Sequence, residues 1–328
     1  MASVGTAEIK VGQKTQGHFR VGSDTDGTPF QIPVLIVAGT KPGPTAWVEG
    51  CVHGEEYGGA ASIIRLYQEL DPATMHGTAV FVPVTNLPSF KAHSRFSPLD
   101  GANLNRLFPG STNGSYSQQL AHRLLEEIGK VADYVLDLHS GGIGAEVPFY
   151  AICKDDGSAT GQRSMVLAER VGADVVWQSK GDIGGTITAH TILRGIPSVT
   201  VECGGGNFTE EHEQLFKEAT RNFLRQVGIL PGEAPVQDQY TIITQGVFTF
   251  SKEGGMFVPG CKVGDVLSKG DVIGQIINLY GEVTEELACP VDNGYIAAIQ
   301  QRYYPTEPGD LVYEVMTVSA RRGPSPVV

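Results

Sequence analysis

One short segment, residues 51–59 (Cys-Val-His-Gly-Glu-Glu-Tyr-Gly-Gly), constrains the fold of this chain more than any other. Residues 46–52 predict a buried strand, and residues 60–70 predict a helix. His53 and Glu56 therefore lie in a tight turn at the carboxyl end of a strand. In an open α/β sheet, ligand crevices form at this edge. An imidazole beside a carboxylate there suits zinc, which accepts nitrogen and oxygen ligands.

Two further apolar strands end on residues of related chemistry. Residues 134–139 predict a strand that ends on His139, and residues 198–202 predict a strand that ends on Glu202, before a run of glycines. Because parallel strands bring their carboxyl ends together, we expect both residues to lie close to the turn after residue 52.

Two histidines and one glutamate would leave an open position on zinc for water, which is the hydrolytic arrangement. The metal lowers the pKa of that water towards ~7, and a second carboxylate must then take its proton and pass it to the leaving group. Glu202 is the candidate for that role, and the glycines after it allow close approach of a substrate.

Taken singly, each of these residues has an ordinary structural explanation. The chain has eight histidines, and four of them stand in mostly polar contexts that indicate a structural role: His18, His76, His122 and His212. His93, in the long loop, and His190, near a predicted helix, are minor candidates for contact with substrate. His53 and His139 differ because both terminate apolar strands at turns that contain glycine. Glu55 competes with Glu56 as a ligand, but a residue three positions after the histidine is better placed to converge with it.

A long irregular stretch, residues 85–114, carries a second functional signal. It is rich in Asn, Pro, Ser and Gly, and structureless segments of this length are usually functional. It contains Arg95 and Arg106, and an arginine can hold a carboxylate through two parallel hydrogen bonds. With Asn105 as a further donor, the loop predicts binding of an anionic substrate or stabilisation of an oxyanion.

The order of strands and helices predicts the fold class. Alternating strands and helices up to residue 227 favour an α/β fold with a mixed, mostly parallel sheet flanked by helices. The pattern changes at residues 231–235, a linker rich in Pro and Gly, and only short strands and glycine turns follow. We therefore predict a catalytic domain over residues 1–235 and an all-β domain over residues 236–328.

Composition and charge exclude several classes of function. The net charge is −12 and the isoelectric point is about 5.1, so a nucleic acid partner is not expected. The five cysteines are odd in number and contain no CxxC pair, which indicates buried reduced thiols and a cytoplasmic location. The amino terminus has no signal-peptide pattern, and no apolar run is long enough to span a membrane.

Four motifs in order resemble the succinylglutamate desuccinylase/aspartoacylase family, a branch of the zinc carboxypeptidase clan. They are His-Gly-Glu-Glu, Asn-Leu-Asn-Arg-Leu-Phe-Pro-Gly, Asp-Leu-His and Glu-Cys-Gly-Gly, within roughly residues 33–206. The resemblance implies an α/β hydrolase with one zinc ion per chain that cleaves an amide into a carboxylate and an amine. It places the zinc ligands at His53, Glu56 and His139 and the general acid/base at Glu202.

The same resemblance assigns roles in the long loop. It implies that Asn105 and Arg106 hold a substrate carboxylate, and Arg95 is our choice for the arginine that stabilises the oxyanion. Asn103 stands where the family often has Asp, which changes the charge expected in the pocket. A catalytic tyrosine, known in parts of the clan, has three candidates: Tyr280, Tyr303 and Tyr304.

The C-terminal domain resembles the barrel-sandwich fold of biotinyl and lipoyl carrier domains. Residues 262–271 are similar to the Gly-Asp turn repeat of that fold, but residues 278–282, at the tip where a carrier bears its modified lysine, contain no lysine. Cofactor attachment is therefore not expected, and we interpret this domain as a cap that shapes substrate access or mediates homo-oligomerisation.

The sequence thus predicts a zinc-dependent amidohydrolase that acts on a small anionic amide such as an N-acyl amino acid. A metallocarboxypeptidase that trims short peptides is one alternative, and a non-catalytic carrier or binding protein built around the β domain is another. A serine hydrolase using Ser140 fits poorly, because the residues around it lack the GxSxG turn.

Overall fold

The structure is a computed structural model that describes residues 2–180 and 184–326. The predicted mixed α/β fold is confirmed. The helices in these residues are α1 (Tyr57–Glu69), α2 (Leu87–Ala92), α3 (Tyr116–Val131), α4 (Ala159–Arg170), α5 (Ile187–Leu193) and α6 (Glu210–Gln226), with single 3-10 turns at Pro72–Thr74 and Leu104–Arg106.

The strands are numbered in chain order. They are β1 (Ser3–Val4), β2 (Ala7–Glu8), β3 (Lys14–Ser23), β4 (Pro29–Ala38), β5 (Lys41–Gly50), β6 (His76–Val82), β7 (Tyr134–His139), β8 (Ala145–Lys154), β9 (Val175–Ser179), β10 (Ser198–Gly204), β11 (Tyr240–Phe250), β12 (Gly255–Pro259), β13 (Val266–Leu267), β14 (Val272–Ile277), β15 (Val283–Ala288), β16 (Gly294–Gln300), β17 (Pro305–Thr306) and β18 (Leu311–Arg322).

A large mixed sheet runs through the molecule in the order β13-β16-β18-β11-β9-β8-β10-β7-β5-β6-β4-β3. Its centre is parallel, because β7 pairs in parallel with β5 and with β10, and β5 pairs in parallel with β6. Antiparallel pairs flank this centre: β3 with β4, β4 with β6, and β8 with β10. Beyond β8, strand β9 again pairs in parallel with β8 and with β11, so parallel and antiparallel pairs alternate across the sheet. The predicted mostly parallel character is not confirmed for the whole sheet.

The sheet continues through the boundary that the sequence predicts at residue 235. Strand β11 pairs in parallel with β9 and antiparallel with β18, so the C-terminal strands extend the same sheet. A separate four-stranded sheet has the order β15-β14-β12-β17. The division into residues 1–235 and 236–328 stays a prediction.

Two hydrophobic cores cover the two faces of the sheet. On one face, α1, α4 and α6 pack against it through side chains such as Leu66, Met165 and Phe216. On the other face, Leu124 of α3 packs in a cluster with Trp47 of β5. None of the helices in the described residues is long and apolar enough to cross a membrane.

Strand β5 begins at Lys41, in a segment that contains Pro42 and Pro44. Pairing with β6 is interrupted between Lys41 and Thr45, and this gap accommodates Pro42 and Pro44, which have no N–H to donate to the ladder. The irregular stretch after β6 also contains α2, a helix begun by Asn86, whose side chain accepts a hydrogen bond from the Ser89 N–H.

Candidate active site

The turn after β5 is fixed by close packing against α2. Cys51 adopts a left-handed conformation with φ of 50°, which ends the strand and turns the chain sharply. A Cβ atom at Gly54 would lie 1.9 Å from the backbone carbonyl carbon of Ser89, so only glycine permits this approach. The packing holds His53 at the carboxyl edge of the sheet.

The parallel register brings the other strand ends to the same edge. Gly50 of β5 is paired with Leu138 of β7, and His139 of β7 is paired with Glu202 of β10. The three segments predicted to carry the chemistry therefore meet where the sequence places them.

Two imidazoles and one carboxylate lie close together at this edge of the sheet. His53 Nδ1 lies 2.7 Å from Glu56 Oε1, and His139 Nδ1 lies 2.8 Å from Glu56 Oε2. All three residues are buried, and their potential ligand atoms lie within 4.8 Å of one another. Glu55 instead lies beside Gly142. Two imidazole nitrogens and one carboxylate oxygen are a donor set that fits zinc.

The far side of each imidazole is held by a second polar group. His139 Nε2 lies 2.9 Å from Asp137 Oδ2, and His53 Nε2 lies 3.0 Å from Asn103 Oδ1. When each Nε2 carries the proton and donates it, each Nδ1 keeps a free lone pair towards Glu56. Such outer partners fix the tautomer and orientation of metal-binding histidines. Asn103, the departure from the family pattern, therefore contacts a candidate ligand.

Burial and charge set the ionisation of this cluster. Burial, helped by the Arg95 charge, lowers the pKa of His53 to about 4, so this imidazole is neutral at pH 7. Burial acts to raise the pKa of Glu56, but the two imidazoles outweigh it and hold that pKa well below its usual range. Burial likewise opposes protonation of His139, yet the carboxylates of Asp137 and Glu56 raise its pKa. The cluster thus presents an ionised carboxylate.

Glu202 borders this cluster with a free carboxyl group. No side-chain hydrogen bond or ion pair joins it to another residue within 2–180 or 184–326, and it is half-buried. Burial, reinforced by the charges of Glu56 and Glu314 and opposed by that of His139, raises its pKa to about 8. A carboxyl group that exchanges its proton near neutral pH suits general acid/base chemistry.

The two arginines of the long loop lie at the same cleft. Arg95 Nη1 donates to Glu56 Oε1 at 3.0 Å, which places this guanidinium on the carboxylate shared by the histidines. Arg106 Nη1 donates to the Asn105 backbone oxygen at 2.7 Å, and the Arg106 side chain is exposed. The oxyanion role of Arg95 and the carboxylate-binding role of Arg106 stay predictions.

The Asn105 side chain lies between α5 and β7. Its Oδ1 accepts a hydrogen bond from the Ile187 N–H at 3.1 Å, and its Nδ2 lies 3.3 Å from His139 Nε2. These contacts hold the long loop against α5 and β7. The predicted contact between Asn105 and substrate stays a prediction.

Sequence reasoning missed two residues near the cleft, Tyr150 of β8 and Glu314 of β18. Tyr150 is fully buried and is paired with Glu202 across the antiparallel strands. The one available signal for Glu314 was an isolated acid within an apolar strand, residues 311–316.

Tyr280, a candidate for catalysis, is 91% exposed at the turn between β14 and β15. Tyr304 packs against Gly144, in the turn after β7.

A buried acid pair lies behind His139. Glu49 of β5 is paired with Asp137 of β7, and Trp47 Nε1 donates to Glu49 Oε2 at 2.9 Å. Glu49 Oε1 and Asp137 Oδ1 are both buried, and neither has a hydrogen-bond partner within 2–180 or 184–326. Burial and the adjacent Asp137 charge raise the pKa of Glu49 well above its usual range. Glu49 therefore holds its proton to a higher pH than an exposed carboxyl group does.

Comparison with known proteins identifies the family of the chain. Residues 42–227 match the model of the succinylglutamate desuccinylase/aspartoacylase catalytic domain. The N-alpha-acetyl-L-2,4-diaminobutyric acid deacetylase of Halomonas elongata is 31% identical over 255 residues, which cover 76% of this chain and 74% of that protein.

Solved structures agree over nearly the whole chain. A succinylglutamate desuccinylase from a Silicibacter species has a TM-score of 0.85 at 25% identity, and covers 97% of this chain and 100% of its own. The product-bound ectoine utilization protein EutE (DoeB) of Ruegeria pomeroyi has a TM-score of 0.85 at 26% identity with the same coverage.

The fold and the matched relatives define the protein as a hydrolase of the deacylase class. The chain belongs to the succinylglutamate desuccinylase/aspartoacylase family.

The raised pKa of Glu49 predicts a pH-dependent effect of Glu49→Gln on stability. The unfolded carboxyl group ionises above about pH 4.3, whereas the folded one holds its proton to a higher pH. Glu49 therefore contributes its full stability below about pH 4.3, and this stability is lost as the pH rises towards the folded pKa. Glutamine is neutral at every pH. We expect the unfolding free energy of the variant minus that of the wild type to grow between about pH 5 and pH 8, by at most ~1.4 kcal/mol per pH unit.

Denaturant unfolding of the wild type and of Glu49→Gln, at about pH 5 and at about pH 8, measures this difference in unfolding free energy. The exposed Glu253 provides the control, since Glu253→Gln removes one carboxyl group outside the core and is expected to give a difference that does not change with pH. A pH-independent difference for Glu49→Gln would show that Glu49 is ionised in the folded protein.

Proposed function

We propose that this protein is a zinc-dependent hydrolase that cleaves the amide bond of a small N-acyl amino acid. The single observation that carries the proposal is the convergence of His53, Glu56 and His139 at one edge of the sheet, with the free carboxyl group of Glu202 beside them. The name of the H. elongata relative supports the substrate class, since that protein acts on an N-acetylated amino acid.

His53 and His139 would hold the ion through their Nδ1 atoms, and Glu56 through a carboxylate oxygen. Zinc in such a site lowers the pKa of a bound water towards ~7 and polarises the substrate carbonyl. Asp137 and Asn103 keep both imidazoles oriented for this task. The neutral state of His53 leaves its nitrogen lone pair available as a ligand.

Glu202 performs both proton transfers in this proposal. Its carboxylate takes the proton from the attacking water as the new carbon–oxygen bond forms. It then gives that proton to the amide nitrogen as the carbon–nitrogen bond breaks, so that a carboxylate and an amine leave. A pKa of about 8 means that the group readily holds the proton between the two steps.

The two arginines supply the positive charge of the cleft. Arg106 would bind the carboxylate of the amino acid, because its guanidinium is exposed. Arg95, held on Glu56, would stabilise the negative charge that develops on the carbonyl oxygen.

Hydrolysis of N-acyl amino acids before and after metal removal tests the function. We expect the purified enzyme to hydrolyse N-acetyl amino acids faster than dipeptides, to lose activity in a chelator and to regain it with zinc. Faster hydrolysis of dipeptides would favour a metallocarboxypeptidase. Activity that survives complete removal of metal, checked by elemental analysis, would contradict the proposal.

Glu202→Gln tests the proton-transfer role. The amide keeps the shape of the side chain but cannot accept a proton, so we expect zinc to be retained while kcat falls by roughly 10²–10⁴-fold. Steady-state kinetics and metal content of the same preparation measure both quantities, and Glu253→Gln serves as the matched control. A Gln variant with near-normal kcat would remove Glu202 from the mechanism.

A further inference from the structure

The two imidazoles of the candidate metal site have outer partners that differ in charge. His139 Nε2 lies 2.9 Å from Asp137 Oδ2, which belongs to a carboxylate. His53 Nε2 lies 3.0 Å from Asn103 Oδ1, which belongs to a neutral amide. Both imidazoles and Asp137 are buried, so water does little to screen the carboxylate. The rings are therefore held in the same way, by partners of different charge.

The orientation of the Asn103 amide follows from a backbone contact. Its Oδ1 also lies 2.9 Å from the backbone nitrogen of Asn105, which can only donate. A flipped amide would place its NH2 group against that N–H, so the atom at this position must be the oxygen. Because an amide oxygen has no proton to donate, His53 Nε2 carries the proton of their hydrogen bond. His53 Nδ1 then keeps a lone pair for a metal.

The Glu56 carboxylate shows the same asymmetry on the inner side of the rings. His53 Nδ1 and Arg95 Nη1 lie 2.7 Å and 3.0 Å from one oxygen, Oε1. The other oxygen, Oε2, lies 2.8 Å from His139 Nδ1 and accepts from the Ser140 N–H at 3.3 Å. The positive guanidinium thus lies on the oxygen next to His53, whereas the oxygen next to His139 accepts from an uncharged amide.

Outer partners of this kind change how strongly an imidazole binds a metal. A carboxylate that accepts the N–H of a histidine makes the ring more basic, and its charge also attracts the cation. A neutral amide oxygen does both to a smaller extent. Loss of such partners typically costs roughly 10- to 100-fold in metal affinity. By this comparison His139 is the stronger imidazole ligand and His53 is the weaker one.

We propose that Asn103 limits the affinity of this site for zinc, because it leaves His53 the weaker of the two imidazole ligands. This inference rests on the proposed function, in which His53, Glu56 and His139 bind zinc. Asn103 is a positioning residue, since it acts on the ion only through His53. It orients the ring without adding negative charge, so zinc exchanges faster than it would with a carboxylate at this position.

Asn103→Asp tests this role, because it adds a charge without removing a contact. An aspartate oxygen can accept from both His53 and Asn105, as the amide oxygen does. We expect the variant to bind zinc roughly 10- to 100-fold more tightly than the wild type and to release it more slowly. Competition between the metal-free protein and a chelator of known zinc affinity measures the dissociation constant, at pH 8 to limit competition from protons. A purely structural role of Asn103 predicts no gain in affinity.

Two further variants serve as controls in the same assay. Asn113→Asp adds an equal charge at an exposed position of the long loop and should leave the zinc dissociation constant at its wild-type value. Asp137→Asn removes the carboxylate beside His139 and should weaken zinc binding by roughly 10- to 100-fold.

The possible outcomes separate this inference from the proposed function. If the wild type binds one zinc ion per chain and Asn103→Asp binds it no more tightly, the inference is wrong and the proposed function stands. An equal gain in Asn113→Asp would also overturn it, because net charge alone would then explain the effect. Wild-type affinity in Asp137→Asn would overturn it independently of Asn103→Asp. If the wild type binds no zinc, the proposed function itself fails.

Discussion

The Glu56 carboxylate, shared by two buried imidazoles, is the interaction on which the rest of the site depends. An ionised carboxylate in the protein interior is strongly destabilising unless donors or cations surround it. Here the Arg95 guanidinium and the Ser140 N–H donate to it, and Nδ1 of each imidazole lies within 2.8 Å of one of its oxygens. That arrangement concentrates negative charge between two nitrogen ligands, and a divalent cation would complete it.

Polar side chains on β5 and β7 hold the cluster of His53, Glu56 and His139 in position. Asp137 lies two residues before His139 on β7 and orients its ring, while Glu49, on the neighbouring strand, lies opposite Asp137. Trp47 in turn donates to Glu49. Buried polar groups of this kind lower stability when one member is missing, and they fix the geometry of the others when all are present.

The meeting of the strand ends could be predicted because its signals are local. Each of His53, His139 and Glu202 follows an apolar strand, and parallel pairing then brings the ends together. The positions of Tyr150 and Glu314 could not be predicted in this way, because both depend on pairing between strands that lie far apart in sequence. Tyr150 is placed by the pairing of β8 with β10, and Glu314 by the pairing of β18 with β11 and of β11 with β9. Asn105 shows another limit of sequence-based prediction. Its motif indicates a functional residue, but only the fold reveals that its side-chain oxygen accepts a hydrogen bond from the Ile187 N–H.

The central claim is that His53, Glu56 and His139 together bind one metal ion. Anomalous X-ray diffraction at the zinc absorption edge tests this claim most directly. The account predicts one strong peak about 2.0–2.2 Å from His53 Nδ1, His139 Nδ1 and a Glu56 oxygen. A metal peak bound by Glu55, or crystals of active enzyme with no peak beside His53 and His139, would contradict it.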